Sequence, residues 1–338
     1  MRPFVYEVAT DTASALLFAS VAASAHITSP VQYIGGGTTL IDLMKLDVMR
    51  PTTLVHITGI RDEAMSQIVR SRDELRIGAL VSMGRLHDDA SIARDYPLLT
   101  ESLWKAASQQ LRNMARLGGN VLQRTRCGYF RDTSYTQCNK RVPGSGCAAL
   151  DGANREHAIL GTSEHCIAVY PSDWAPALIA LDAKVEVLSR SGKRTLPFAG
   201  LHRLPGEIPH IETNLRPGDL ITAFIIPGGP RRRSLYLKIR DRESYQFANA
   251  SAAVALELDG SVLRDVRIGL GGVATTPWRA RRAEAMLRGH KLTEAAATAA
   301  AEAEFKDAHT REGNRPKLTL AKRTMVRALL QAQAMVIA

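Results

Sequence analysis

Cysteine, aromatic residues, acidic residues and long apolar runs are all in short supply in this chain, and each shortage closes off a class of protein. Only four of the 338 residues are cysteine, too few for a disulfide-dense scaffold. Phe, Trp and Tyr make up 5%, which leaves few stacking platforms for single-stranded nucleic acid. No run of 18 uncharged apolar residues occurs, so no membrane span is expected. Asp and Glu number 33 against 44 Lys and Arg, for a formal net charge of +11. The basic residues are spread along the chain rather than gathered in a stripe, which argues against a nucleic-acid-binding module. Hydrophobic residues at 45% and charged residues at 23% describe a globular chain of about two domains, not a disordered one.

A secretory leader is not expected. Arg2 is the only basic residue ahead of the first apolar stretch, and Glu7 and Asp11 offset it. The stretch Ala13 to Ala25 reads instead as an amphipathic helix opened by Asp11 or Thr12.

The rest of the chain divides by pattern. A strand at Val31–Ile34, a glycine loop, a helix at Thr39–Leu46 and a strand at Thr53–Ile57 give α/β alternation in the first ~60 residues. A strand at Glu74–Leu80 and a helix at Glu101–Ala115 follow. From Thr125 to Tyr170 the periodicity collapses, a length that a compact domain rarely tolerates unless something else organises it. Regularity returns with a helix at Trp174–Leu181, a hairpin of Lys184–Leu188 and Arg194–Pro197, and a strand at Asp219–Pro227. Beyond Arg231-Arg232-Arg233, read as a solvated turn, come a strand at Leu235–Arg240, a helix at Phe247–Leu258 and a strand at Val262–Val273. Helices at Arg279–Leu287, Leu292–Ala308 and from Lys317 onward close the chain. A boundary falls near 228–234 and a lesser one near 58, and the second domain is of the α+β type.

Four features carry chemistry. Gly35-Gly36-Gly37-Thr38 sits between strand and helix, where bare backbone and a helix N-terminus suit an anion. It has neither Walker nor Rossmann spacing, and a plain tight turn reads the same way. Gly118-Gly119-Asn120 follows a helix and reads alone as a C-cap, but two such loops suit a pyrophosphate gripped from both sides. All four cysteines, Cys127, Cys138, Cys147 and Cys166, fall in the irregular stretch, and no Cys-x-x-Cys pair is among them. A 4Fe–4S cluster takes four Cys, and its binding would replace the missing core. Two disulfides or four free thiols fit the same spacing. His157 and His165 lie nearby and read as solvated loop residues. Asp173 opens a helix as an N-cap or a ligand, and Lys238 lies among apolar strand neighbours, where an inward amine needs a partner such as a ligand phosphate or a flavin edge.

Taken together, these motifs resemble the medium, FAD-binding subunit of the molybdenum hydroxylases, the xanthine dehydrogenase and aldehyde oxidoreductase family. The resemblance rests on Arg2-Pro3-Phe4-Val5-Tyr6, Gly36-Gly37-Thr38-Thr39-Leu40, Leu117-Gly118-Gly119-Asn120, Asp219-Leu220-Ile221 with Ile226-Pro227, Arg267 to Val273, and Pro277-Trp278-Arg279-Ala280. Among these subunits only some carry an extra 4Fe–4S cluster, and the cysteine insertion after the second glycine loop points to that branch. Gly313 to Leu318 and Leu320-Ala321-Lys322-Arg323 look like its periplasmic aldehyde oxidoreductase type.

The resemblance implies a two-part FAD-binding domain of the vanillyl-alcohol-oxidase/CO-dehydrogenase-flavoprotein type, residues 1–57 and 58–229, with the insertion at about 124–170. Residues 230–338 would form a small α+β domain, a three-stranded sheet with helices. It implies that Ile34, Gly35, Gly36, Gly37, Thr38, Thr39 and Leu40 wrap the FAD pyrophosphate, and that Gly118, Gly119 and Asn120 hold it from the other side. Ala106 and Ala107 would line the flavin, Asp173 would bind the adenosine side, Leu220 and Ile221 would pack on the adenine, and Lys238 would lie near the isoalloxazine. Cys127, Cys138, Cys147 and Cys166 would hold the cluster. The implied partners are a molybdenum-cofactor large subunit, a 2Fe–2S small subunit and an external electron acceptor. The implied compartment is the periplasm, reached by co-export, with the cytoplasm as the alternative. Two departures stand out: Gly35 where Ala is more usual, and Arg116 where a small hydroxyl residue is common. A stand-alone FAD oxidase would add its own substrate domain, and a zinc-stabilised basic protein would leave the glycine loops unexplained.

Overall fold

The computed structural model describes residues 1–22 and 24–337 and lays out three sheets. Positions 23 and 338, within the expected first and last helices, lie outside the described residues. The first sheet is parallel: β1 (Val5–Val8), β2 (Val31–Ile34) and β3 (Thr53–His56) stand in the order β1-β3-β2. Its crossovers carry α1 (Thr12–Phe18) and α2 (Leu40–Lys45), as parallel neighbours require. A capping box starts α1: Asp11 accepts from the Ser14 N–H at 2.7 Å and the Ser14 hydroxyl accepts from the Asp11 N–H at 3.3 Å. Gly35–Gly37 leave β2 at its carboxyl end, the side on which open α/β sheets hold ligands.

The second sheet is antiparallel. β4 (Ile68–Arg70), β5 (Glu74–Gly78), β6 (Lys184–Ser189), β7 (Gly192–Pro197) and β8 (Leu220–Pro227) stand in the order β4-β5-β8-β6-β7. Among the helices that accompany it are α3 (Pro97–Trp104), α4 (Gln109–Met114), α5 (Leu117–Asn120) and α6 (Trp174–Ala180). Trp174, fully buried, meets the Phe224 ring edge-on with centroids 4.9 Å apart. The single helix expected over Glu101–Ala115 is broken. Ala107 takes φ +48°, and Ser108 starts a new helix by accepting from the Leu111 N–H at 3.3 Å. A serine inside an amphipathic run is a cap signal. The Gly118-Gly119 pair, read as a C-cap, forms a helical turn of its own.

The third sheet, β9 (Ser234–Ile239), β10 (Ala250–Asp259), β11 (Val262–Gly271) and β12 (Trp278–Arg279), is antiparallel in the order β12-β11-β10-β9. Three long strands form the expected sheet and the two-residue β12 adds an edge. The helix expected at Phe247–Leu258 is the central strand β10. Alanine favours helix on its own. Here Ala250 to Leu256 are buried without interruption, with α6 and a C-terminal helix packed on β10, and burial of both faces erases the alternation that marks a strand. The C-terminal helices are α7 (Arg281–Leu287), α8 (Glu294–Glu304) and α9 (Arg315–Ala334). Arg231 to Arg233 are anchors rather than a solvated turn. Arg231 pairs with Glu257, Arg232 with Asp95, and Arg233 donates to the carbonyls of Ala332, Gln333 and Met335 at the end of α9.

Between α5 and α6, residues 124–170 hold one helical turn, Gly128–Arg131, and isolated bridges that include Cys138 with Cys147 and Ser163 with Cys166. Among the described residues no helix is long and apolar enough to cross a membrane.

Candidate functional site

A cleft of about 700 Å³ is lined by residues of the first two sheets and their loops, within the size range of small-molecule and cofactor sites. Ile34 to Leu40 line it from the end of β2, and Gly118, Gly119 and Asn120 line it from α5. Ala106 and Ala107 reach it through the break between α3 and α4, and Asp173, Leu220 and Ile221 line it as well.

The glycines are there for closeness. A Cβ on Gly36 would lie 1.9 Å from the carbonyl oxygen of Met114, so the first loop rests on the end of α4. A Cβ on Gly119 meets nothing within 4 Å, so that glycine leaves open space toward the cleft. Gly37 takes φ +71°, a left-handed conformation that other residues rarely adopt.

Lys238, expected to face the ligand, does not line the cleft. Its amine donates to Asp173 Oδ2 and to the carbonyl of Lys105, both at 2.9 Å, and its side chain is 1% exposed. The Tyr236 hydroxyl donates to Asp173 Oδ1 at 2.7 Å. Burial pushes the Asp173 carboxyl up and the Lys238 amine down, and each charge opposes the other's shift. The partner that an inward lysine requires is therefore a carboxylate of the same chain. Asp173 is not the capping side chain of α6; Ser172 is, accepting from the Ala175 N–H at 3.1 Å. Arg240 also donates to the Lys105 carbonyl, so β9 holds the bend that presents Ala106 and Ala107.

Four arginines line the cleft: Arg116, Arg124, Arg126 and Arg216. Arg124 and Arg126 have carboxylate partners, Glu212 and Asp42. The Arg116 Nε is buried without a hydrogen-bond partner, and burial lowers the guanidinium's pKa.

Comparison with known proteins decides what this architecture is. Residues 4–229 match the FAD binding domain in molybdopterin dehydrogenase, and residues 235–332 match the CO dehydrogenase flavoprotein C-terminal domain. The chain belongs to the FAD-binding medium subunits of the molybdenum hydroxylases. It is 44% identical over 335 residues, 99% of both chains, to the aldehyde oxidoreductase FAD-binding subunit of Escherichia coli (strain K12). It is 27% identical to the xanthine dehydrogenase FAD-binding subunit of Escherichia coli O157:H7, over 68% of this chain and 63% of that one. Its fold matches carbon monoxide dehydrogenase from Hydrogenophaga pseudoflava with a TM-score of 0.75, at 23% identity over 98% of each chain. Quinoline 2-oxidoreductase from Pseudomonas putida 86 matches with a TM-score of 0.74, at 22% identity over 98% of each.

For a medium subunit of this family the cleft fits FAD. It joins a glycine-rich wall on each side, an unpartnered buried guanidinium nitrogen and the apolar Leu220 and Ile221. The sequence motifs did not mark Arg124, Glu212 or the segment Tyr245–Phe247, which also line it. Arg124 and Arg126 bracket Thr125 just before Cys127, and that basic pair was the available signal.

The four cysteines are free thiols. Burial pushes Cys127 up to about 12, Cys166 up to about 11, and Cys138 in the same direction. Neighbouring thiols add to each rise: Cys138 and Cys166 act on Cys127, Cys147 on Cys138, and both Cys147 and Cys138 on Cys166. Cys138 pairs with Cys147 and Ser163 with Cys166 across isolated bridges. Among the described residues no group of three or more His, Cys, Asp or Glu side chains is arranged to hold a metal ion. His165 is exposed as expected, but His157 is buried, its Nε2 3.2 Å from the Cys127 sulfur, and burial lowers its pKa to about 4.

Proposed function

We propose that this chain is the flavin-bearing electron-transfer subunit of a heterotrimeric molybdenum-dependent aldehyde oxidoreductase. In this reading its 124–170 insertion carries a 4Fe–4S cluster on Cys127, Cys138, Cys147 and Cys166. The observation that carries the reading is the two-sided glycine cleft, followed in the chain by an irregular insertion that contains all four cysteines. The aldehyde oxidoreductase subunit of Escherichia coli, 44% identical, supports the aldehyde class. Substrate oxidation would occur on a molybdenum-bearing large subunit, with electrons arriving by a 2Fe–2S small subunit and leaving to an external acceptor. FAD, when bound, supplies the two-electron redox chemistry, and this chain binds and orients it. Ile34–Leu40 and Gly118–Asn120 would hold the pyrophosphate, Leu220 and Ile221 the adenine. Asp173 would shape the adenosine side while Lys238, through it, keeps that wall in place. We read residues 1–57 and 58–229 as the two lobes of the flavin unit and residues 230–338 as the closing domain. The aldehyde oxidoreductase type also supports the periplasm, by co-export with a partner carrying the signal.

For the cluster, the four cysteines fit in kind and number, while the described side chains form no group arranged to hold a metal ion. A 4Fe–4S centre takes four thiolates. The half-buried Cys127 and the buried Cys138 and Cys166 resist ionising alone, so a cationic centre is what would draw them into thiolate form. The absorption spectrum of the anaerobically purified chain tests both assignments. Flavin bands with a bleachable iron–sulfur shoulder are expected, and a colourless protein retaining zinc overturns the reading. Cys138→Ser is expected to lose iron; unchanged iron stoichiometry would show that the ligand assignment is wrong.

Arg116 would meet the pyrophosphate with a charge, where a small hydroxyl residue could offer only a neutral hydrogen bond. Arg116→Gln removes a charge-assisted contact of about 1.5–3 kcal/mol, so FAD affinity should fall roughly 10- to 100-fold. Fluorescence titration of the flavin-stripped chain measures it. An unchanged Kd would remove Arg116 from the binding site.

A further inference from the structure

Residues 124–170 grip three separate walls of the flavin cleft. On the first wall, Arg126 and Arg131 both bind Asp42 of α2, at 3.0 and 2.9 Å. Between them Phe130, 1% exposed, enters the same core cluster as Ile34, Leu43 and Met44. On the second wall, Arg124 and Lys140 share Glu212, at 2.5 and 2.7 Å. On the third, Arg155 makes two bonds to Asp241, at 2.8 and 2.9 Å. Asp241 roots the loop Tyr245–Phe247: its N–H donates to Gln246 Oε1, and the Arg126 guanidinium lies 5.4 Å from the Phe247 ring centroid. Asp42, Glu212 and Phe247 all line the cleft. In every clasp the cations come from the insertion; Asp42 and Glu212 line the cleft themselves, and Asp241 holds the loop that lines it.

The insertion has almost no regular structure with which to hold these cations in place. Ordering such a segment costs conformational entropy, which each clasp alone would have to overcome. The cysteines are interleaved with the clasp residues: Cys127 lies between Arg126 and Arg131, and Cys138 two residues before Lys140.

We infer that the insertion is a latch on the flavin cleft, so that fixing its four thiols closes the three clasps and makes FAD retention depend on metal loading. The metal dependence rests on the cluster reading above; the latch itself rests on the clasps. Coupling between two sites is reciprocal, so bound FAD tightens the metal site by the same factor.

The test is FAD titration of the flavin-stripped full chain, with iron counted in each sample. The clasp variant Arg131→Gln/Arg155→Gln alters neither a cleft-lining residue nor a cysteine. It should keep its iron and raise the FAD Kd roughly tenfold. Folded Cys138→Ser should raise it at least as much, and combining the two should add little, because both open the same latch. An iron-loaded clasp variant with the wild-type FAD Kd overturns the latch while the cluster reading stands. So do effects that multiply. If Cys138→Ser does not fold, the clasp variant still decides. Wild-type chain without iron overturns the metal dependence together with the cluster reading; a clasp variant that still loses FAD would then support the latch by itself.

Discussion

Gly36→Ala is expected to weaken FAD binding strongly in a chain that still folds into its three sheets. The new Cβ would lie 1.9 Å from the carbonyl oxygen and 2.5 Å from the carbonyl carbon of Met114. Both are backbone atoms at the end of α4, so no side chain can swing away. Either the loop lifts off α4, or α4 retreats and takes the neighbouring Arg116 with it. Overpacking of this kind costs about 2–3 kcal/mol, and taken from binding it is roughly 30- to 150-fold in FAD affinity. Gly119→Ala is the matched control, since its Cβ meets nothing in the protein within 4 Å and the residue sits in a helical turn. That variant should hold or gain stability without flavin, because alanine is the better helix residue by about 0.5–1 kcal/mol. If it nevertheless loses FAD affinity, the lost space is space the flavin uses. Titration of both variants with thermal melts of the stripped proteins separates the outcomes; wild-type affinity in Gly36→Ala would show that the loop is not seated as described.

Lys238→Met should be the most damaging single change outside the apolar core. It leaves the Asp173 carboxylate buried without its counter-ion, and breaking one half of a buried pair costs about 3–5 kcal/mol. Asp173 would then take up a proton more readily, its folded pKa rising further above that of the unfolded chain. A group with a raised folded pKa stabilises below the unfolded value and loses that contribution as pH rises through the folded one. The deficit of Lys238→Met should therefore be largest at neutral pH and shrink as pH falls toward the carboxylate range. Adding Asp173→Asn should recover much of the loss at neutral pH, since the neutral amide's oxygen would still accept from the Tyr236 hydroxyl. Urea unfolding at two pH values checks this, and a deficit independent of pH would show that Asp173 carries no charge in the fold.

What the sequence revealed, and what it hid, follows from the range of the interactions involved. The first glycine loop, the strand before it and the hairpin at Lys184–Pro197 rest on turn chemistry within a few residues, and the structure has them where the pattern put them. The break at Ala106–Ala107 was written as Ser108 but outvoted by the apolar spacing around it. Strand β10 was hidden because its alanines are buried on both faces, a tertiary fact that no local window contains. The walls of the cleft were legible in the same unequal way. Glycines and apolar residues announced themselves, while the clasps join residues far apart in sequence: Arg126 to Asp42 across 84 positions, and Arg155 to Asp241 across 86. Lys238 was rightly suspected of needing a partner, yet its partner was another suspected residue 65 positions away.

The buried trio also bears on whether the parts of such subunits can be interchanged. The two matched regions, 4–229 and 235–332, suggest modules that a recombination event could trade between relatives. Asp173 belongs to the first, while Tyr236 and Lys238 belong to the second. A chimaera that brings in a foreign second module must bring a hydroxyl and an amine to the same two places, or the first module inherits a stranded charge. The seam between them is therefore a lock with one shared key, and the two modules must change together there.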